Sequence, residues 1–130
     1  MNRSEAKWAA VGAGLAFLGV ALGAFGAHAL RSRISAERVA VYQTGVQYHV
    51  VHAIGILVVV ALGSRLFPKA AGGIASLFAA GIVIFGGSLY ALAITDIKWF
   101  GAITPLGGLC FLAGWGWMAI AAWRSDRQTP

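Results

Sequence analysis

VAVYQTGVQYHVVHAIGILVVVALG, residues 39–63, runs for 25 residues without an Asp, Glu, Lys or Arg. A helix rises ~1.5 Å per residue and the hydrocarbon layer of a bilayer is ~30 Å thick, so about 20 apolar residues cross it. The stretch therefore reads as a membrane span, although its two halves differ. Tyr42, Gln43, Thr44, Gln47, Tyr48, His49 and His52 crowd the first half, whereas residues 54–62 are nearly pure hydrocarbon.

On either side the same reading recurs, because residues 8–30, 70–95 and 101–123 are also apolar and free of those four charged types. The spans are placed at residues 8–30, 39–63, 70–95 and 102–123, which makes the chain an all-α, four-helix transmembrane bundle in a single integral membrane domain, residues 1–130. Composition agrees: 59% hydrophobic and 11% charged residues leave too few ionised groups to cover a soluble globule. The net charge of +6 is scattered over termini and short loops, so it argues for no nucleic-acid partner. Read as topology signals, Arg3, Lys7, Arg65, Lys69, Arg124 and Arg127 fall on one side, against Arg31, Arg33, Arg38 and Lys98 on the other. That bias expects both termini to be cytoplasmic.

Ala27-His28-Ala29 after a basic start imitates a signal-peptide cleavage site, but the apolar run before it exceeds the ~7 to 15 residues of a signal core. A retained first span is expected. Cys110 has no second cysteine to pair with.

Lipid gives helices no hydrophobic reason to associate, so small residues four apart mark faces where backbones approach closely. The first span offers Gly12 with Ala16, and Gly19, Gly23 and Ala27; the third offers Gly72, Ser76 and Ala80; the fourth continues the four-residue step as Gly108, Leu112 and Gly116. Thr104 followed by Pro105 predicts the start of the fourth helix, with an N-cap oxygen and then a residue whose missing N–H costs nothing in the first turn. Trp8, Trp99 and Trp123 are expected at the membrane interfaces. Compared with itself at an offset of 62 residues, the chain also aligns Arg3, Lys7, Gly19, Ala29 and Leu30 with Arg65, Lys69, Gly81, Ala91 and Leu92, as a duplicated two-span hairpin would.

The candidate site is the polar half of the second span. At about 100° per residue, Tyr42, Gly45, His49, His52 and Ile56 share one face with Tyr48 beside it, while Gln43 and Gln47 lie on another flank and Val46, Val50 and Ala53 form a stripe for lipid or tight packing. With the hairpin turn near Ile34, His28 comes level with Tyr42 and Gln43, and the internal alignment sets Tyr90 at the depth of His28. His28, Tyr42, Gln43, Tyr48, His49, His52 and Tyr90 are thus the candidate ligand-binding residues, and all but Tyr48 are expected around one cavity reached from the non-cytoplasmic side. The readings that remain open are hydrogen bonding across helices, a pocket for lipid, ligand or protons, and metal or haem ligation. No carboxylate or cysteine stands near His49 and His52 to complete a metal shell, so no metal and no cofactor is expected.

Gly23-Ala24-Phe25-Gly26-Ala27-His28-Ala29-Leu30, Tyr42-Gln43-Thr44-Gly45, Gly87-Ser88-Leu89-Tyr90, Thr104-Pro105-Leu106-Gly107-Gly108 and Gly114-Trp115 occur in this order. In these motifs the chain resembles the YgdD/YwdK-like family of small bacterial inner-membrane proteins. The resemblance implies four spans in the inner membrane and no known activity, hence no catalytic residues to carry over. Two functions are consistent with these residues. One is a binding or accessory module for a lipid, a small hydrophobic ligand, a partner helix or a second copy of the chain. The alternative is a proton- or ion-handling transporter or redox subunit working through intramembrane histidines. The absence of any acidic residue deep in a span favours the first, since Glu5, Glu37, Asp96 and Asp126 lie at span ends or beyond.

Overall fold

A computed structural model describes residues 1–127, with Ala27 described by its backbone alone. The described chain is all helix and turn. Helix α1 (Arg3–Ala29) opens on a capping box in which Asn2 and Glu5 satisfy each other's backbone N–H groups. Helix α2 (Ala36–Leu66) starts at Ser35, whose hydroxyl accepts from the Arg38 N–H. The third span consists of α3 (Ala71–Gly81), a π-helical turn (Ile82–Gly86) and α4 (Gly87–Thr95); α5 (Phe100–Asp126) is the fourth. All four spans are long and apolar enough to cross a membrane.

The helices stand almost in a row. Helix α1 packs on α2 and the beginning of α3 but does not reach α5, whereas the third span is held between α2 and α5. With no hydrophobic drive in lipid, contact depends on close fit, and the fit here is an aromatic ring seated on a glycine of the next helix. A side chain at Gly26 would collide with Tyr42, at Gly45 with Tyr90, at Gly81 with Phe111, at Gly114 with Phe78 and at Gly73 with Trp117. Along α1 the seam is Gly12, Gly19, Gly23 and Gly26, which meet Ile56 and Leu57, Val50 and His49, Val46, and Tyr42 respectively. The expected contact at Gly19 and Gly23 is where the helices touch; Ala27, the third residue of that ridge, lies outside the described side chains. A Cβ on residue 23 would lie 2.9 Å from Cγ1 of Val46, a stiff β-branched neighbour. Gly23→Leu should therefore lower the melting temperature of the detergent-solubilised protein, at a cost of about 1–3 kcal/mol; an unchanged melting curve would show that the α1–α2 seam is loose.

The π-turn resolves a conflict of phase. Phe78 and Tyr90 both face α2, yet twelve residues of regular helix would turn them about 120° apart. One residue absorbed into a wide turn reduces this to about 20°, putting both rings on the same side. Ser88 then donates to the Phe85 carbonyl at 3.0 Å within the distorted stretch.

At the start of α5 the structure corrects the sequence reading. The chain reverses through Asp96 in the left-handed region, φ 56°, and a tight turn from Ile97 to Ala102 already winds the helix, so α5 begins at Phe100 and Pro105 lies inside it. Thr104 is consequently not an N-cap: its hydroxyl lies 2.7 Å from Ser88 Oγ, a bond between spans. Pro105 deprives the Gly101 carbonyl of its helical donor, at the end of the bundle, where headgroups and water can supply one. Trp99 and Trp123 are exposed at opposite ends of the bundle, while Trp8 is half-buried beside α3.

Candidate functional site

Helix α2 carries the cluster and, like the third span, touches every other span. Its buried residues, Tyr42, Gly45, His49, His52 and Ile56 among them, follow the helical period that the sequence predicts. Ala53 is fully buried too, so the stripe left for lipid or tight packing resolves as packing.

His49 is 2% exposed and bridges three spans. Its Nε2 lies 2.8 Å from the Leu15 carbonyl of α1, and its Nδ1 2.9 Å from the Tyr90 hydroxyl of α4. A carbonyl only accepts, so Nε2 carries the proton and Nδ1 accepts from Tyr90. One α-helical heptad away, Tyr42 donates to the Leu22 carbonyl at 2.7 Å. The two links hold α1 against α2 at matching seven-residue steps, and the Tyr42 and Tyr90 rings lie 5.1 Å apart.

His52, 4% exposed, is built differently. Its Nδ1 donates to the Tyr48 carbonyl at 2.7 Å, one turn back, and its Nε2 accepts the indole N–H of Trp115 at 3.0 Å. The ring stacks on Phe111 with centroids 3.5 Å apart and meets Phe78 edge-on. Both bonds require the neutral imidazole protonated on Nδ1, since a second proton on Nε2 would confront the Trp115 donor. Across the third span, the Thr104 hydroxyl donates to Ser88 as Ser88 donates to Phe85, leaving the 3.3 Å approach of Thr104 to the Phe100 carbonyl as the weakest of the three. Among the described residues no buried side-chain nitrogen or oxygen lacks a partner, and no three His, Cys, Asp or Glu side chains come together in a metal-holding group.

The seven candidate residues therefore do not share one cavity. His49 and Tyr90 are bonded to each other, the Tyr42 ring packs against that of Tyr90 while its hydroxyl bonds to Leu22, and His52 lies one turn deeper in an aromatic box. Tyr48 is 42% exposed, its ring 4.6 Å from that of Phe85. Gln43 is exposed on the outer flank. His28 does not join the others: it is exposed and borders an open groove with Ala21, Ala24, Phe25 and Ala29 on the outer side of α1. Gly26, not His28, is the residue beneath the Tyr42 ring. A residue two positions on is turned about 200° away. No cavity is shared between His28 and Tyr42.

Sequence reasoning missed two side chains. Trp115 completes the His52 bonding, and its place three residues after Leu112 gave no polar pattern to follow. Arg38, read only as a topology charge, donates through Nε and Nη2 to the Ala93 and Ile94 carbonyls at 2.7 Å each. It thus caps the C-terminus of α4, where carbonyls lack donors and the helix dipole is negative. Next to it, a hydrogen bond and charge from Lys98 hold the Asp96 carboxyl below its ordinary range.

Comparison with known proteins places this architecture. Residues 22–108 match the family model described as "Protein of unknown function (DUF423)". The chain is 47% identical over 115 residues to the UPF0382 membrane protein YwdK of Bacillus subtilis, covering 86% of this chain and 92% of that one. It is 38% identical over 112 residues to the UPF0382 inner membrane protein YgdD of Escherichia coli K12, covering 86% of each, and 37% identical over 116 residues to the UPF0382 membrane protein SH2409 of Staphylococcus haemolyticus, covering 88% and 93%. No solved structure matches it. With its interior histidines tied to protein groups and its four apolar spans in a row, the chain belongs to the DUF423 family of small membrane proteins of unknown function.

Proposed function

We propose that the chain is a non-catalytic accessory module of the inner membrane, oriented with both termini cytoplasmic, that associates through a lipid-facing strip of α2. The carrying observation is Gln47. It is exposed, it makes no hydrogen bond among the described residues, and it borders a groove of about 220 Å³ with Tyr48, Val51 and His52. Its position eleven residues into α2 puts it at hydrocarbon depth, roughly 16 Å from the start of the helix. An amide left unpaired there costs several kcal/mol, so a polar partner is favoured.

The shape of the strip selects the partner. Gln43, Gln47, Val51, Ile54, Val58 and Leu62 are all exposed and recur every three or four residues, a straight line of helical length rather than a pocket. A primary amide both donates and accepts, so it pairs with another copy of itself across a two-fold axis. A second copy of the chain is therefore the partner the strip fits. In a Cys110→Ala background, Ile54→Cys should cross-link into a dimer in membranes, whereas Phe17→Cys on the outer face of α1 should not. Gln47→Leu should weaken that cross-link severalfold. A chain that stays monomeric with either cysteine would remove the second copy as partner. The same set of side chains argues against a proton relay, because the bonds of His52 are consistent only with its neutral form.

A further inference from the structure

At the end of the bundle that carries residue 3 and residue 126, the α2–α3 turn and the last turns of α5 enclose a cleft of about 540 Å³. Arg65 and Lys69 come from one side and Arg124 from the other; Phe67, Trp117 and Ile120 supply apolar walls. None of these three cations forms an ion pair among the described residues, and no acidic side chain lines the cleft. Glu5, the acidic residue of the neighbouring segment, is occupied in capping α1. Three like charges held around one cleft repel one another, and an anion between them would relieve that repulsion.

Two further observations specify the anion. Helix α3 begins at the cleft with no side chain capping its N-terminus, and Ala70, the residue before it, lines the wall. The positive end of a helix more than one turn long thus adds to the three side chains, an arrangement suited to a phosphoryl group. The cleft is also amphiphilic and lies at the level where a span ends. Trp117 and Ile120 are exposed along its outward wall, so a ligand with a phosphate at one end and an acyl chain at the other meets both surfaces. At the opposite end the cleft formed by Arg38 and Lys98 is also lined by Glu37 and Asp96, and its two cations are engaged, Arg38 with carbonyls and Lys98 with Asp96.

We infer that Arg65, Lys69 and Arg124 form a binding site for the phosphate of an anionic phospholipid headgroup, with Trp117 and Ile120 against the start of its acyl chains. This site is separate from the α2 strip and does not depend on its occupancy. The test is native mass spectrometry of the intact chain released from nanodiscs of equal parts phosphatidylglycerol and phosphatidylcholine. One phosphatidylglycerol should be retained in at least about tenfold preference, and the triple variant Arg65→Gln, Lys69→Gln, Arg124→Gln should lose that preference. Arg31→Gln with Arg33→Gln, which removes charge from the other end, should keep it. Inorganic phosphate at millimolar concentration distinguishes the source: displacement of the lipid by phosphate alone would assign the site to free phosphate, whereas retention assigns it to the headgroup with its chains. Equal retention of both lipids by the wild type, or the same preference in the triple variant, would overturn the site.

Discussion

Gly107→Ala should be the most damaging single-methyl change in this protein. A Cβ on residue 107 would lie 2.8 Å from the Cα of Phe85 and 2.6 Å from its Cβ, so the obstacle is the backbone of the π-turn, which cannot rotate away. Elsewhere the atom nearest to such a Cβ belongs to a side chain, in several cases a ring that can shift. Here α5 and the third span must separate, loosening the Phe111 contact at Gly81 and the Ser88–Thr104 bond together. A cost at or above the upper end of the usual ~1–3 kcal/mol for overpacking is expected, seen as a large fall in melting temperature in detergent. Gly116→Ala is the control. Nothing lies within 4 Å of a Cβ there, and glycine in a helix interior is worse than alanine by about 0.5–1 kcal/mol, so that change should be neutral or stabilising. Equal melting temperatures for the two variants would dismiss the close approach at the π-turn.

The second large effect is expected at His49. His49→Leu removes both imidazole bonds at once, freeing the Tyr90 hydroxyl within the bundle and releasing α1 from its Leu15 anchor. The Leu15 carbonyl keeps its helical donor, but the Tyr90 hydroxyl has no other partner among the described bonds. Interhelical bonds in membranes are worth about 0.6 to 2 kcal/mol each, so a loss of about 1–4 kcal/mol is expected. Adding Tyr90→Phe to His49→Leu should recover part of it, because the stranded hydroxyl disappears. A double variant no more stable than the single one would place the cost in packing rather than in the bond. Protease accessibility in membranes would reveal α1 detaching before the other spans, since it is held by α2 and the start of α3 alone.

Much of this protein is local chemistry and is legible from residues 39–63 and their three counterparts. Span number, approximate span ends and the buried face of α2 follow from hydropathy and a period of 3.6, because lipid forces every backbone group into a helix and leaves only azimuth to be chosen. Gly19 and Gly23 were readable as a contact for the same reason. A regular period, however, carries no information about its own interruption. The π-turn that swings Tyr90 toward His49, and the early winding of α5 that moves Pro105 inside a helix and turns Thr104 into a cross-span donor, depend on how Phe85, Gly107 and their neighbours pack. His28 shows the same division. Its expected depth follows from residue counting along a hairpin, but its direction is set by which face of α1 is buried. The Tyr42 ring seated on Gly26 settled that face, and so turned His28 outward.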